Sequence, residues 1–311
     1  MSSLGNVARA VGYARRWVYK WRRRRKHGDQ ATQWYLLTGQ VDRSKLLNPN
    51  PSQLTKLLPP PGCSWSDPFV WKRDTDYFIF MEEWPQSEPH AHISVLPLDN
   101  DGRIKSEPRV VLAEPYHLAY PFLFEFGGEL YLMPDSSENR TLDLYRCESF
   151  PDCWVKVRTV LQGAWVADAT LYERQGRWWM FLTRQEGRYR INHDLFLLSA
   201  NSPLDSHWTA HPRCPVISGF DRARSAGRLF ELEGGLYRPS QDCLRGYGHS
   251  LNINQVTQLD EKRYAERLVH RVRPDWEAGT VGNHHLDWNG GLLAMDALRL
   301  VDRSCSGGRK S

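Results

Sequence analysis

Residues 66–83 read "SDPFVWKRDTDYFIFMEE". A polar start passes into an apolar strand, an Asp-Thr-Asp turn follows, and a second aromatic strand returns. That order is the signature of a β-hairpin. The pattern recurs as "AYPFLFEFGGELYLMPDS" (119–136), "ADATLYERQGRWWMFLTR" (167–184), "SAGRLFELEGGLYRPSQD" (225–242) and "GNHHLDWNGGLLAMDALR" (282–299). The second residues of the five copies are Asp67, Tyr120, Asp168, Ala226 and Asn283, spaced 53, 48, 58 and 57 apart. The fifth copy is the loosest. A period near 50 residues with several strands per unit predicts an all-β, five-bladed β-propeller, here over 63–302. "HISVLPL", "TLDLYRC", "DLFLLSA" and "SLNINQVTQL" fit third strands, and "RVVLAE" and "WVKVRTVL" fit outer ones.

Composition agrees with a packed domain. Thirteen Trp, thirteen Tyr and eleven Phe exclude a disordered chain. Net charge is +5, but residues 1–26 hold nine of the 41 basic residues and no acid, leaving 32 basic against 36 acidic residues elsewhere. The body is therefore mildly acidic, and no nucleic-acid partner is expected. In residues 1–26, Leu4, Val7, Val11, Ala14, Val18 and Trp21 repeat at helical spacing among arginines. This predicts a basic amphipathic helix lying on an anionic membrane surface. Residues 27–62 read as a connector ending in "LPPPG", and 303–311 as a loose tail. The six cysteines form no CxxC pair and follow no secretory signal. They read as reduced thiols in a cytoplasmic protein peripheral to the membrane.

In a propeller the innermost strands of the blades line a central channel. The five aligned starts gather at one mouth, which places Asp67, Tyr120 and Asp168 there. Asp67 precedes Pro68 and also suits a turn. Asp168 precedes Ala169 and has no such reason to be acidic. The returning strands bring Glu82, Glu83, Asp135, Arg184, Gln241 and Asp242 to the same end, with His117, His284 and His285 nearby. Carboxylates, amides and arginines of this kind bind a polyhydroxylated ligand, and Trp65 is placed to stack on a sugar face. No His or Cys spacing suggests a metal site, and no cofactor motif occurs.

The ordered motifs "SDPFV", "MEE", "HLAYPFLFE", "YLMPDSS", "LYRCESFPDCW", "ADATL", "RSAGRLF" and "YRPSQDC…YGHSL" resemble the N-terminal domain of plant glucosamine inositolphosphorylceramide transferase and its bacterial relatives. That domain is similar in turn to the five-bladed propeller clan of glycoside hydrolases that contains arabinanases, fructosidases and levansucrases. The clan resemblance implies that Asp67 is base or nucleophile and that Asp168 orients the sugar. It also implies a glutamic general acid on blade four, where Ser225 and Ala226 stand instead. Asp242 is the first replacement expected for it, with Asp135 or a Glu of the 82–83 pair as alternatives. Asp135 occupies a place where the relatives are expected to carry Glu. Without an acid, transfer from a nucleotide-sugar donor is expected, with Arg184, Arg224 and Arg238 holding its phosphates. The resulting expectation is glycosyl transfer in surface glycan or glycolipid biosynthesis at the cytoplasmic membrane face. Two alternatives stand beside it: a glycan-binding module that positions a partner glycosyltransferase, and a glycoside hydrolase with a displaced acid.

Overall fold

The computed structural model describes residues 31–302, and the helix expected over 1–26 lies outside the described residues. Five antiparallel sheets make five blades. Blade one runs outward through Cys63–Arg73, Asp76–Pro85, His92–Leu98 and Arg109–Leu112. Blade two follows with Ala119–Phe126, Glu129–Ser136, Thr141–Ser149 and Cys153–Gln162. Blade three has Trp165–Arg174, Arg177–Gln185 and Asp194–Ala200, then two short pieces at its edge. Blade four has Phe230–Leu232, Gly235–Asp242, Ser250–Leu259 and Tyr264–Val272. The third strands expected from the sequence all form at their expected places.

Blade five differs from expectation. Its inner edge is split into Thr280–Gly282 and Leu286–Asn289, both paired with Leu292–Val301. Its outer strands are Ala31–Gln40 and Thr55–Leu57, which lie inside the stretch read as a connector. Ala31–Gln40 pairs antiparallel with the last strand, from Ala31 opposite Val301 to Gln40 opposite Leu292. Tyr35, Leu36 and Leu37 are consecutive and all buried, because a mid-blade strand is covered on both faces. The ring is therefore closed by joining the two ends of the described chain in one sheet.

The hairpins depend on turn chemistry. Gly127 and Gly128 have φ of 62° and 80°, and the two-residue loop they make joins Phe126 to Glu129. Both central residues are left-handed, the turn whose twist matches a hairpin. Between blades, apolar side chains interlock. Phe69 is fully buried and meets Tyr120 and Phe122 edge-on at centroid distances of 4.9 and 5.6 Å. Burial of a ring of this size stabilises by roughly 1.5–3 kcal/mol.

Candidate functional site

The inner strands of blades one to three share an irregularity. Their ladders slip between Ser66 and Phe69, between Ala119 and Phe122, and between Ala167 and Thr170. Within these slips Asp67, Tyr120 and Asp168 have φ of 50°, 45° and 53°. A non-glycine residue held left-handed costs on the order of 1–3 kcal/mol, and such residues concentrate at functional sites. A bulge of this kind re-aims a side chain out of the strand's alternation. In blade four the equivalent bend falls at Ala226–Gly227, where Gly227 has φ of 123°. A Cβ there would stand 1.9 Å from the Leu286 carbonyl oxygen, so the two blades approach too closely for any side chain.

Two ion-paired groups surround the first two carboxylates. Arg224 grips Asp168 with two nitrogens, Nε on Oδ2 and a terminal nitrogen on Oδ1 at 3.1 Å. Gln241 Nε2 donates to the same carboxylate at 3.2 Å. Arg224 also donates to Asn192 Oδ1 at 2.8 Å and lies over the Tyr247 ring at 4.7 Å. Burial raises the Asp168 carboxyl above its ordinary range, and the Arg224 charge opposes that rise. On the other side, Asp67 Oδ1 lies 3.4 Å from His285 Nδ1 and 3.8 Å from His284 Nδ1. The buried Asp296 carboxylate accepts from the backbone N–H groups of Asp67, His284 and His285 at 3.2, 2.8 and 2.9 Å. It also pairs with His284 Nδ1 at 2.5 Å. Burial opposes a charge on His284, but Asp296, Asp67 and Asp168 overcome it and lift the imidazole to about 9. Asp67, His284 and Asp296 offer ligand atoms within 4.8 Å of one another.

Asp67 lines a cavity of about 340 Å³ with Glu82, Asp135, Arg224, His284 and neighbouring residues, and Asp168 reaches it only through its grip on Arg224. Glu82 accepts from Ser66 Oγ at 3.0 Å and pairs with His117 Nε2 at 3.1 Å. Burial opposes a charge on His117, and Glu82 raises it above its usual value. Asp135 is buried and accepts from the Ser137 N–H at 2.8 Å. Burial and the facing Asp168 carboxylate raise its carboxyl to about 7. Each cation on the wall is matched by a carboxylate: Arg224 by Asp168, His284 by Asp296, and His117 by Glu82. Trp34, Trp84, Trp165 and Tyr247 complete the lining. Trp84 and Trp165 are 42% exposed and Tyr247 is 43% exposed. Trp34, from the closing strand, stacks on His284 with centroids 4.0 Å apart.

Several expected site residues fall elsewhere. Trp65 is buried and donates to Glu83 Oε1 at 3.0 Å, so its ring is core rather than a sugar platform. Glu83 alternates to the face opposite Glu82, accepts from Ser94 Oγ at 2.6 Å, and is held down to about 2 by its partners against the effect of burial. Asp242 lies off the cavity wall, bound to Arg271 at 3.0 Å and to the Leu244 N–H at 3.0 Å. Arg184 turns outward to Glu186 at 2.6 Å and covers Phe196. Arg238 is fully buried against Glu266 at 2.8 Å. Tyr120 and His285 sit beneath the cavity floor. Tyr120 shares a 2.6 Å hydrogen bond with Thr170 and accepts from the Gly227 N–H at 2.9 Å. The rim tryptophans were not anticipated. Counting by twos from Glu82 reaches Trp84, which is the signal that would have found it. Nothing local marks Trp34.

Comparison with known proteins matches residues 59–300 to the family described as "Glucosamine inositolphosphorylceramide transferase 1, N-terminal". The glucosamine inositolphosphorylceramide transferase 1 of rice (Oryza sativa subsp. japonica) is 32% identical over 251 residues, covering 76% of this chain and 33% of the relative. The protein of that name from Arabidopsis thaliana is 30% identical over 252 residues, covering 78% of this chain and 32% of the relative. The chain thus spans about a third of the length of these curated relatives. Among solved structures, the catalytic domain of a Coprinopsis cinerea GH62 α-L-arabinofuranosidase superposes with TM-score 0.57 at 12% identity, over 76% of this chain and 90% of that one. Zg3597, a family 117 glycoside hydrolase of Zobellia galactanivorans, superposes with TM-score 0.53 at 13% identity, over 90% of this chain and 95% of that one. These likenesses show the five-bladed fold. Taken with the match over 59–300, they show a five-bladed propeller that belongs to the glucosamine inositolphosphorylceramide transferase 1 N-terminal family.

Proposed function

We propose that this propeller transfers a glycosyl unit on a surface glycan or glycolipid, with Asp67 as base or nucleophile and Asp168 holding the sugar. The observation that carries the reading is that Asp67, held left-handed in its inner strand, lines an aromatic-rimmed cavity, and that Asp168, held the same way, fixes the Arg224 of its wall. Aromatic faces and fixed carboxylates suit a sugar, whose ring faces are apolar and whose edge is lined with hydroxyls. Transfer, rather than hydrolysis alone, is supported by the transferase name of the relatives. The cations in the wall are already neutralised, and Arg184 and Arg238 are committed elsewhere. A nucleotide pyrophosphate would find no ready partner among them. A donor joined through an ordinary glycosidic oxygen suits this wall better.

The test is to replace Asp67→Asn and Asp168→Asn and to measure oligosaccharide binding and glycosyl turnover together. The expected result is turnover lost by roughly 100-fold or more with binding kept within a few-fold. If the intact protein turns over no donor yet binds oligosaccharides, the enzyme reading fails. The protein would then be a glycan-binding module for a partner transferase, a reading that the absence of an acid at Ser225–Ala226 favours. Membrane attachment through residues 1–26 belongs to the same proposal. Removing them should abolish sedimentation with anionic liposomes, and unchanged sedimentation would refute it. Among the described residues, no helix is long and apolar enough to cross a membrane.

A further inference from the structure

We infer that Asp135, on blade two, is the proton donor to the departing oxygen, in place of the acid missing from blade four. The inference rests on the glycosyl-transfer reading above and specifies its chemistry.

A donor with an ordinary glycosidic oxygen needs a proton as the C1–O bond breaks, since an alkoxide is a poor leaving group. Blade four offers Ser225 and Ala226 at the expected place, and Asp242 lies off the cavity wall, tied to Arg271. Of the carboxyls at the cavity, Asp168 is gripped by Arg224, Glu82 is paired with His117, and Asp67 faces His285. Asp135 lines the same cavity, and among the described residues no Arg, Lys or His nitrogen lies within ion-pair distance of it. It sits at the end of Glu129–Ser136, opposite Ala119 in the ladder and so beside the bulge that carries Tyr120. The charged groups facing it are Asp168, Arg224 and His117. Burial and the like charge opposite keep the Asp135 proton near neutral pH, here up to about 7, against the opposing pull of Arg224 and of Ser137, which donates to it. Asp67 and Asp168, in contrast, have positive groups beside them. Asp135 is thus placed to give a proton and Asp67 to take one, which is the division of labour that glycosyl chemistry requires.

The step balances as follows. Asp135 gives its proton to the glycosidic oxygen while the C1–O bond breaks, and the leaving group departs as an alcohol. An acceptor hydroxyl or water forms the new C1–O bond and passes its proton to Asp67. Exchange with solvent returns both carboxyls to their starting states.

The test compares two leaving groups on the full chain, using glycosyl fluorides and p-methoxyphenyl glycosides of the common hexoses, hexosamines and pentoses. Fluoride departs without a proton and p-methoxyphenol needs one. Asp135→Asn should keep fluoride turnover within about threefold and lose about 100-fold or more on the aryl glycosides, with Asp135→Glu recovering part of the loss. A merely structural role would lower both rates together, so equal losses overturn the inference, as does undiminished aryl turnover. If D135N does not fold, the wild-type pH profile decides. Aryl turnover should fall above pH about 7 while fluoride turnover does not. A shared fall overturns the assignment. A wild-type protein that turns over neither substrate overturns the transfer reading itself, and this inference with it.

Discussion

Replacing Asp296 with Asn tests the electrostatic frame beneath the cavity. Asp296 is fully buried and holds three backbone N–H groups together with the His284 imidazole. His284 is lifted to about 9 against 6.5 for a free imidazole. At about 1.4 kcal/mol per tenfold change in proton affinity, that lift is worth roughly 3 kcal/mol of folding stability. The folded protein holds this proton more tightly than the unfolded chain. The contribution is therefore complete below pH about 6.5 and is lost as pH rises through about 9. Asn accepts hydrogen bonds but carries no charge, so the variant loses the proton-linked part. Urea unfolding followed by tryptophan fluorescence, at pH about 6 and about 9.5, measures both proteins. The other titrating groups, Asp135 among them, cancel in the comparison. Asp296→Asn should cost more at the lower pH than at the higher, by most of that ~3 kcal/mol, since Asp296 supplies the largest share of the lift and Asp67 and Asp168 the rest. An equal penalty at both would refute the claim that Asp296 holds His284 protonated.

Three further outcomes follow from the packing. Gly227→Ala should destabilise by about 3 kcal/mol in the same unfolding assay, because its Cβ would meet the Leu286 carbonyl at 1.9 Å; a loss under about 1 kcal/mol would contradict that contact. Trp84→Ala and Trp165→Ala should each weaken oligosaccharide binding about tenfold by calorimetry, with Tm unchanged within about 2 °C, since both rings are 42% exposed; unchanged affinity would remove the rim from the site. Deleting residues 31–40 should leave the last strand without its neighbour and abolish cooperative unfolding; a sharp thermal transition would show that the ring closes without that strand.

The fold could be read from the sequence because each blade repeats a hairpin whose turn has its own chemistry. Gly127–Gly128 and Gln175–Gly176 mark the returns without reference to anything distant. The aligned starts then located Asp67, Tyr120 and Asp168, since equivalent positions in a ring reach the same end of it. What the alignment could not supply was direction. Glu82 and Glu83 are neighbours in sequence, and strand alternation sends one to the cavity and the other into the blade. Arg184 and Arg238, expected to hold phosphates, are aimed instead at carboxylates that only the folded packing reveals. Asp135 was named as a contact, while its protonation depends on Asp168 from another blade. Ala31–Gln40 was the hardest element to see. Its pairing partner lies more than two hundred residues away, and its run of buried residues has no alternation to mark it.

That strand ties the cavity to the closure of the ring. Trp34 belongs to one end of the described chain and His284 to the other, and they meet face to face at the cavity. One side of the pocket therefore depends on the closing strand. A molecule whose ends have not joined lacks both its final blade and one side of its binding surface. The shape of the cavity is thus a property of the closed ring and not of any one blade.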